Sequence, residues 1–141
     1  MPSKIFVNLP VSNLDQSIAF FSKLGFTFNP QFTDHQATCM IIAENIFAML
    51  LVKERFADFT KKKICDARQS TEVLIALDME SREKVDEMVR LAVAAGGSVY
   101  MDPMDHGWMY GHSFADLDGH QWELVYMDMS ALPGTGVPST S

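Results

Sequence analysis

The side chain best placed to do chemistry in this chain is Glu123, a carboxylate inside the apolar run Trp122-Glu123-Leu124-Val125-Tyr126-Met127. Facing solvent, it would mean nothing. Facing an apolar pocket, it suits general acid–base work, because burial changes how firmly a carboxyl group holds its proton. The stretch from His106 to Asp128 surrounds it with three of the four histidines, both tryptophans and two of the three tyrosines. His106, in the loop Asp105 to Tyr110, is the second candidate for proton handling, and Trp108 and Tyr110 of the same loop are candidates to stack on a ligand. His120 reads as a turn residue, and His112 sits on a strand with its facing open. No HxH, HxxxH or CxxC spacing suggests a metal site. Cys39 and Cys65 are isolated; Cys39 lies in an apolar run and reads as a small buried hydrophobe.

The elements that position these residues follow from periodicity. Asp118-Gly119 between two apolar runs is a strong hairpin signal, since glycine accepts the positive φ of a tight turn. It predicts a strand near His112 to Asp116 and another from Gln121 to Met127. Upstream, Lys4 to Val11 alternates as a strand. Asn13 is a good helix N-cap, Leu14, Ile18, Phe21 and Leu24 form one helical stripe, and Gly25 suits the helix end. Short strands are expected at Phe26 to Phe28, Ala37 to Ala43 and Ile46 to Val52, with a tight turn at Glu44-Asn45.

The pattern then recurs. A strand begins at Glu72, Ser81 caps a helix with the stripe Val85, Met88, Val89 and Ala92, Gly96-Gly97 ends it, and Ser98 to Met101 is a short strand before the hairpin. The order is a tandem βαβββ repeat, residues 4–52 and 72–129. The fold class is therefore α+β. Two such units side by side predict one curved mixed sheet, helices outside and a concave cleft inside. Residues 1–129 read as a single domain and 130–141 as a disordered tail. The segment 53–71 carries six of the eleven basic residues and reads as a connector, with Phe56 and Phe59 as anchors, or as a lid or dimer contact.

Composition narrows the function classes. The chain has 141 residues, 48% of them hydrophobic and 21% charged, ordinary for a globular domain. No apolar run approaches the roughly 20 residues of a membrane span, and the start MPSKIFVNLP lacks a signal-peptide layout, so no membrane role and a cytoplasmic location are expected. A net charge of −7 argues against nucleic acid as partner.

Strand faces can be assigned through the repeat. Matching Asn45 with His120 sets Phe47 opposite Trp122 and Ala48 opposite Glu123. Trp122, Leu124 and Tyr126 should then meet the helix. The concave surface would hold Phe6, Asn8, Ala48, Leu50, Leu74, Ala76, Glu123 and Val125, an apolar ligand site with two polar groups.

The repeat together with Asp-x-Asp-Gly-His-x-Trp-Glu-Leu resembles the vicinal oxygen chelate superfamily, which includes glyoxalase I, bleomycin- and fosfomycin-resistance proteins and extradiol dioxygenases. VNLPVSNLDQSIAFFSKLGF is similar to its opening strand and helix, and FADLDGHQWELVYMD to its closing hairpin, with Leu117 in place of the usual Pro. The DHGWMYGHSF segment resembles bacterial proteins described as predicted lactoylglutathione lyases. The resemblance implies four metal-ligand positions, here Phe6, Ala48, Leu74 and Glu123. Only Glu123 is a donor, so no cofactor is expected, and a divalent metal only if further donors exist. It also implies a small-molecule ligand and a homodimer. Three readings stay open: a lyase or isomerase using Glu123 as general acid–base, a drug-sequestering binding protein for a cationic aromatic ligand, and an interaction module.

Overall fold

A computed structural model describes residues 1–132. The first unit, residues 1–70, runs β1 (Ile5–Val11), α1 (Leu14–Lys23), β2 (Thr27–Asn29), β3 (Ala37–Ala43) and β4 (Ile46–Val52), followed by the short α2 (Lys53–Phe56). Its sheet has the order β1-β4-β3-β2, with β1 and β4 parallel and the other pairs antiparallel. α1 starts where expected: the Asn13 side chain accepts a hydrogen bond from the Gln16 N–H at 3.0 Å. The helix gives way at Gly25, whose φ of +104 an L side chain would resist. Phe20 and Phe21 of α1 are 2% and 1% exposed, and Leu9, Val11, Ala48 and Leu50 of the sheet are buried as well. Burying each such ring stabilises the unit by about 1.5–3 kcal/mol.

The second unit begins at Thr71 and repeats the plan with β5 (Ile75–Asp78), α3 (Arg82–Ala94), β6 (Met104–Asp105), β7 (Met109–Ala115) and β8 (Gln121–Met127), in the sheet order β5-β8-β7-β6. Ser81 caps α3 by accepting from the Lys84 N–H at 3.1 Å. Val85, Val89 and Ala92 form its buried stripe. Phe114, Trp122 and Leu124 have no exposed surface and make the core of this unit.

The tandem βαβββ plan and the α+β class are thus present, and the strands hydrogen-bond as two four-stranded sheets, one per unit, where a single curved sheet was expected. Three local expectations change. Ser98 to Met101 is not a strand: it makes one antiparallel bridge, Ser98 to Ala115, and the edge strand forms later as β6. Phe59 does not anchor the connector; it is 66% exposed, with the Arg55 guanidinium 4.9 Å above its ring. The expected tail opens with a 3-10 turn, Met129–Ala131, and its residues 133–141 lie outside the described residues.

Candidate functional site

The turn that presents β8 is built on one carboxylate. Asp116 accepts from the backbone N–H groups of Asp118 and His120 and from the Trp122 indole N–H, each at 3.0 Å. Gly119 supplies the positive φ of +90. Burial raises the Asp116 pKa, opposed by the charge of His120 and by these hydrogen bonds. The turn fixes the alternation of β8. Trp122 and Leu124 point to the α3 side, in register with Ile75 and Leu77. Glu123 therefore points to the opposite face, half-buried, between Ala76 on β5 and Ser113 on β7. Val125, beside Asp78 and Gly111, extends the same face, and Leu74 continues it ahead of β5, 52% exposed. Leu74, Ala76, Glu123 and Val125 thus share a face.

Two residues join this face without having been foreseen. Ser113 lies directly across from Glu123 and is 8% exposed. Tyr100 stands two residues beyond the Ser98–Ala115 bridge, whose two backbone hydrogen bonds measure 3.0 and 2.7 Å. Extended antiparallel pairing carries it to Ser113, on the Glu123 face. Its phenol oxygen is buried and makes no hydrogen bond among the described residues. Burial pushes this phenol up; the Ser113 hydroxyl pulls it down and the Glu123 charge pushes it further up. Ser113 is thus near enough to act on the phenol without the geometry of a hydrogen bond to it. The hairpin alone gave a route to Ser113, because its register sets that residue opposite Glu123. Tyr100 had no such signal, since its strand is reduced to one bridge.

The aromatic loop turns elsewhere. Tyr110 lies on the α3 side and donates from its hydroxyl to Asp86 of α3 at 2.5 Å. That bond pushes the Tyr110 phenol up to about 12. The Arg82 guanidinium sits 5.1 Å over the Tyr110 ring and grips both oxygens of Asp105, at 2.8 and 3.0 Å, and the Gly107 carbonyl at 2.9 Å. It holds the Asp105 carboxyl down to about 2. Tyr110 is therefore a strut to α3, and the expectation that it stacks on a ligand beside Glu123 is corrected. His106 is exposed in the turn between β6 and β7, where its backbone N–H donates to the Met109 carbonyl at 2.8 Å. Met109, which His106 bonds, pairs with Met127, four residues from Glu123, about 13 Å along the strand. The two predicted proton-handling residues are not brought together. Trp108 is half-buried and accepts from the Asp128 N–H through its carbonyl. His112 lies opposite Leu124, on the α3 side, with its Nε2 buried and making no hydrogen bond among the described residues.

In the first unit the expected facing is half right. Phe6 and Asn8 lie on the face away from α1, in register with Phe47 and Met49, and the Phe6 and Phe47 rings stack at 4.9 Å. Ala48 and Leu50 do not join them. They align with Val7 and Leu9, have no exposed surface, and belong to the core under α1. The ligand position that the resemblance placed at Ala48 falls instead on Met49, which pairs with Asn8 as Glu123 pairs with Ala76.

Read through the strand registers, the ligand positions that the resemblance implies carry Phe6 and Met49 in the first unit and Leu74 and Glu123 in the second. Three are not donors to a hard or borderline cation. Among the described residues, no three His, Cys, Asp or Glu side chains come together as a metal cluster. The donor set does not fit such an ion.

Sheet order, helix placement and the repeated βαβββ plan define a glyoxalase-like fold. The family model described as Glyoxalase/Bleomycin resistance protein/Dioxygenase superfamily matches residues 5–124, and the chain belongs to that superfamily. Among solved structures, hypothetical protein SA1046 from S. aureus is similar at a TM-score of 0.76 and 28% identity, covering 89% of this chain and 94% of that one. A glyoxalase/bleomycin resistance protein/dioxygenase family enzyme from Burkholderia phytofirmans PsJN superposes at 0.72 with 17% identity, covering 86% and 96%. The bleomycin resistance determinant encoded on transposon Tn5 does so at 0.62 with 17% identity, covering 89% and 98%. No curated protein matches.

Proposed function

We propose that the chain acts on a small molecule held on the Glu123 face of its second sheet, as a lyase or isomerase in which Glu123 moves a proton. The observation that carries this reading is the position of Glu123: one carboxylate between Ala76 and Ser113, on a face that it shares with Leu74, Val125 and Tyr100. A carboxylate so placed can take a proton from carbon beside a carbonyl and return it. Such general acid–base help is worth about 10²–10⁴-fold in rate. The lactoylglutathione lyase resemblance suggests the first substrates to try, α-hydroxy and α-thio carbonyl compounds such as the hemithioacetal of methylglyoxal with glutathione. Turnover is followed by NMR in D2O, where exchange at the α-carbon reports proton transfer directly. Glu123→Gln should reduce the exchange by about 100-fold or more. Undiminished exchange in that variant would sink the reading.

A second reading rests on different observations. Phe6, Met49 and Leu74 stand where metal donors would be needed, the net charge is −7, and one structural relative is a bleomycin resistance determinant. These favour a binding protein for a cationic aromatic ligand, with Glu123 as its counter-charge. This reading expects a ligand that raises the melting temperature and is recovered unchanged after long incubation.

A further inference from the structure

We infer that Tyr100 is the electrophilic partner of Glu123: its phenol donates a hydrogen bond to the substrate oxygen on which negative charge develops, with the Ser113 hydroxyl as a second donor. The inference rests on the proton-transfer reading above and supplies what that reading lacks. Removing a proton next to a carbonyl moves the C–H electron pair into a C=C bond and the C=O pair onto oxygen. Something must stabilise that oxygen. A metal ion is one solution, but the positions that would hold it carry Phe6, Met49 and Leu74. Preorganised hydrogen-bond donors in a water-poor site are another.

The sheet brings the donors to the right face. The Ser98–Ala115 bridge leads Tyr100 to Ser113, and Ser113 is the ladder partner of Glu123. Three polar side chains, from β8, β7 and the extended segment bridged to β7, are thus laid in a row at about 5 Å spacing. The phenol oxygen is buried yet unpaired. A phenylalanine would fill such a place without the cost of burying a hydroxyl with no acceptor. A substrate oxygen is an acceptor that would satisfy it. Burial also keeps the phenol protonated, hence a donor, across the neutral range.

The charge balance agrees. Before transfer, the site holds one negative charge, on the Glu123 carboxylate. After transfer, Glu123 is neutral and the charge lies on the substrate oxygen facing Tyr100 and Ser113. Charge moves across the row and does not accumulate. The return step reverses this: Glu123 gives the proton back to carbon and the C=O bond re-forms, with no oxidant or second reactant.

Tropolone, a planar oxyanion with two neighbouring oxygens, tests the donor pair without turnover. Titration calorimetry on the full chain should show that Glu123→Gln binds tropolone several-fold more tightly than the wild type, since a like charge is gone. Adding Tyr100→Phe to Glu123→Gln should weaken binding at least tenfold, and adding Ser113→Ala by a smaller factor. Tyr100→Phe alone should melt no lower than the wild type, because it deletes only an unpaired oxygen. Unchanged tropolone binding in Tyr100→Phe, no binding to Glu123→Gln, or a lowered melting temperature in Tyr100→Phe would each overturn the assignment. Tyrosine-dependent binding in a protein that never exchanges the α-proton would reject the catalytic reading and leave an oxyanion-binding site. Exchange that is lost in Glu123→Gln but indifferent to Tyr100→Phe would do the reverse.

Discussion

Tyr100 and Tyr110 are the same residue type in opposite circumstances, because they stand on opposite faces of one sheet. Tyr100 is held up chiefly by burial and makes no hydrogen bond through its hydroxyl among the described residues; Tyr110 is held up chiefly by its bond to Asp86. The sign of the Tyr110 effect follows from linkage. Its folded pKa of about 12 exceeds the ordinary phenol value, so its stabilisation is complete below about pH 10 and disappears as the pH rises through 12. Asp86→Ala should therefore bring one of the three tyrosines down toward pH 10 in an absorbance titration at 295 nm, leaving the upward shift of Tyr100 in place. A titration curve identical to that of the wild type would refute the Asp86 bond as its cause. At this scale the sequence marked Glu123, because an acid interrupting WELVYM is conspicuous on any strand. It did not mark Tyr110 as structural, since Asp86 and Arg82 lie more than twenty residues upstream and meet it only in the folded unit.

Elements were legible where their signals are local. Asn13 and Ser81 cap the helices they were expected to cap, and β3, β4 and β8 occupy the predicted residues. What failed was phase. The first hairpin turns through Glu44-Asn45 with a register shift between Ile41 and Ala43; the second spends Asp116 to His120 on its loop. Matching the two turns by their last residue set the strands one place out of step, and a one-residue slip exchanges the faces of every side chain. Ala48 and Leu50 consequently moved from the expected ligand face into the core, and Phe47 and Met49 took their place. The second hairpin owes its register to Asp116. Removing that carboxylate strips an acceptor from two backbone amides and from the fully buried Trp122 indole N–H. Asp116→Ala should cost about 2–4 kcal/mol in urea unfolding. Asp116→Asn keeps one acceptor oxygen and should cost less. Equal stability of Asp116→Ala and the wild type would mean that the turn is set by Gly119 and the strands alone.

The whole molecule was readable as a tandem repeat because each unit carries its own cap, stripe and hairpin, and these local signals recur in the same order. Family membership follows from the same recurrence, over residues 5–124. The chemistry does not follow from membership: of the four ligand positions that the resemblance implies, three carry no donor. Phe6 is stacked on Phe47, Met49 pairs with Asn8, and Leu74 is an exposed aliphatic; none can donate to Mg²⁺, Mn²⁺ or Zn²⁺. Glu123 alone cannot hold such an ion against water, because tight sites use three or four protein donors. Exhaustive dialysis against EDTA should therefore leave both the melting temperature and the α-proton exchange unchanged, and added Zn²⁺, Mn²⁺ or Ni²⁺ should raise neither. Elemental analysis of the purified protein supplies the opposing outcome. One equivalent of a divalent metal, lost together with activity on chelation and restored with it, would transfer the electrophilic role from Tyr100 to the ion and would require donors from outside these four positions.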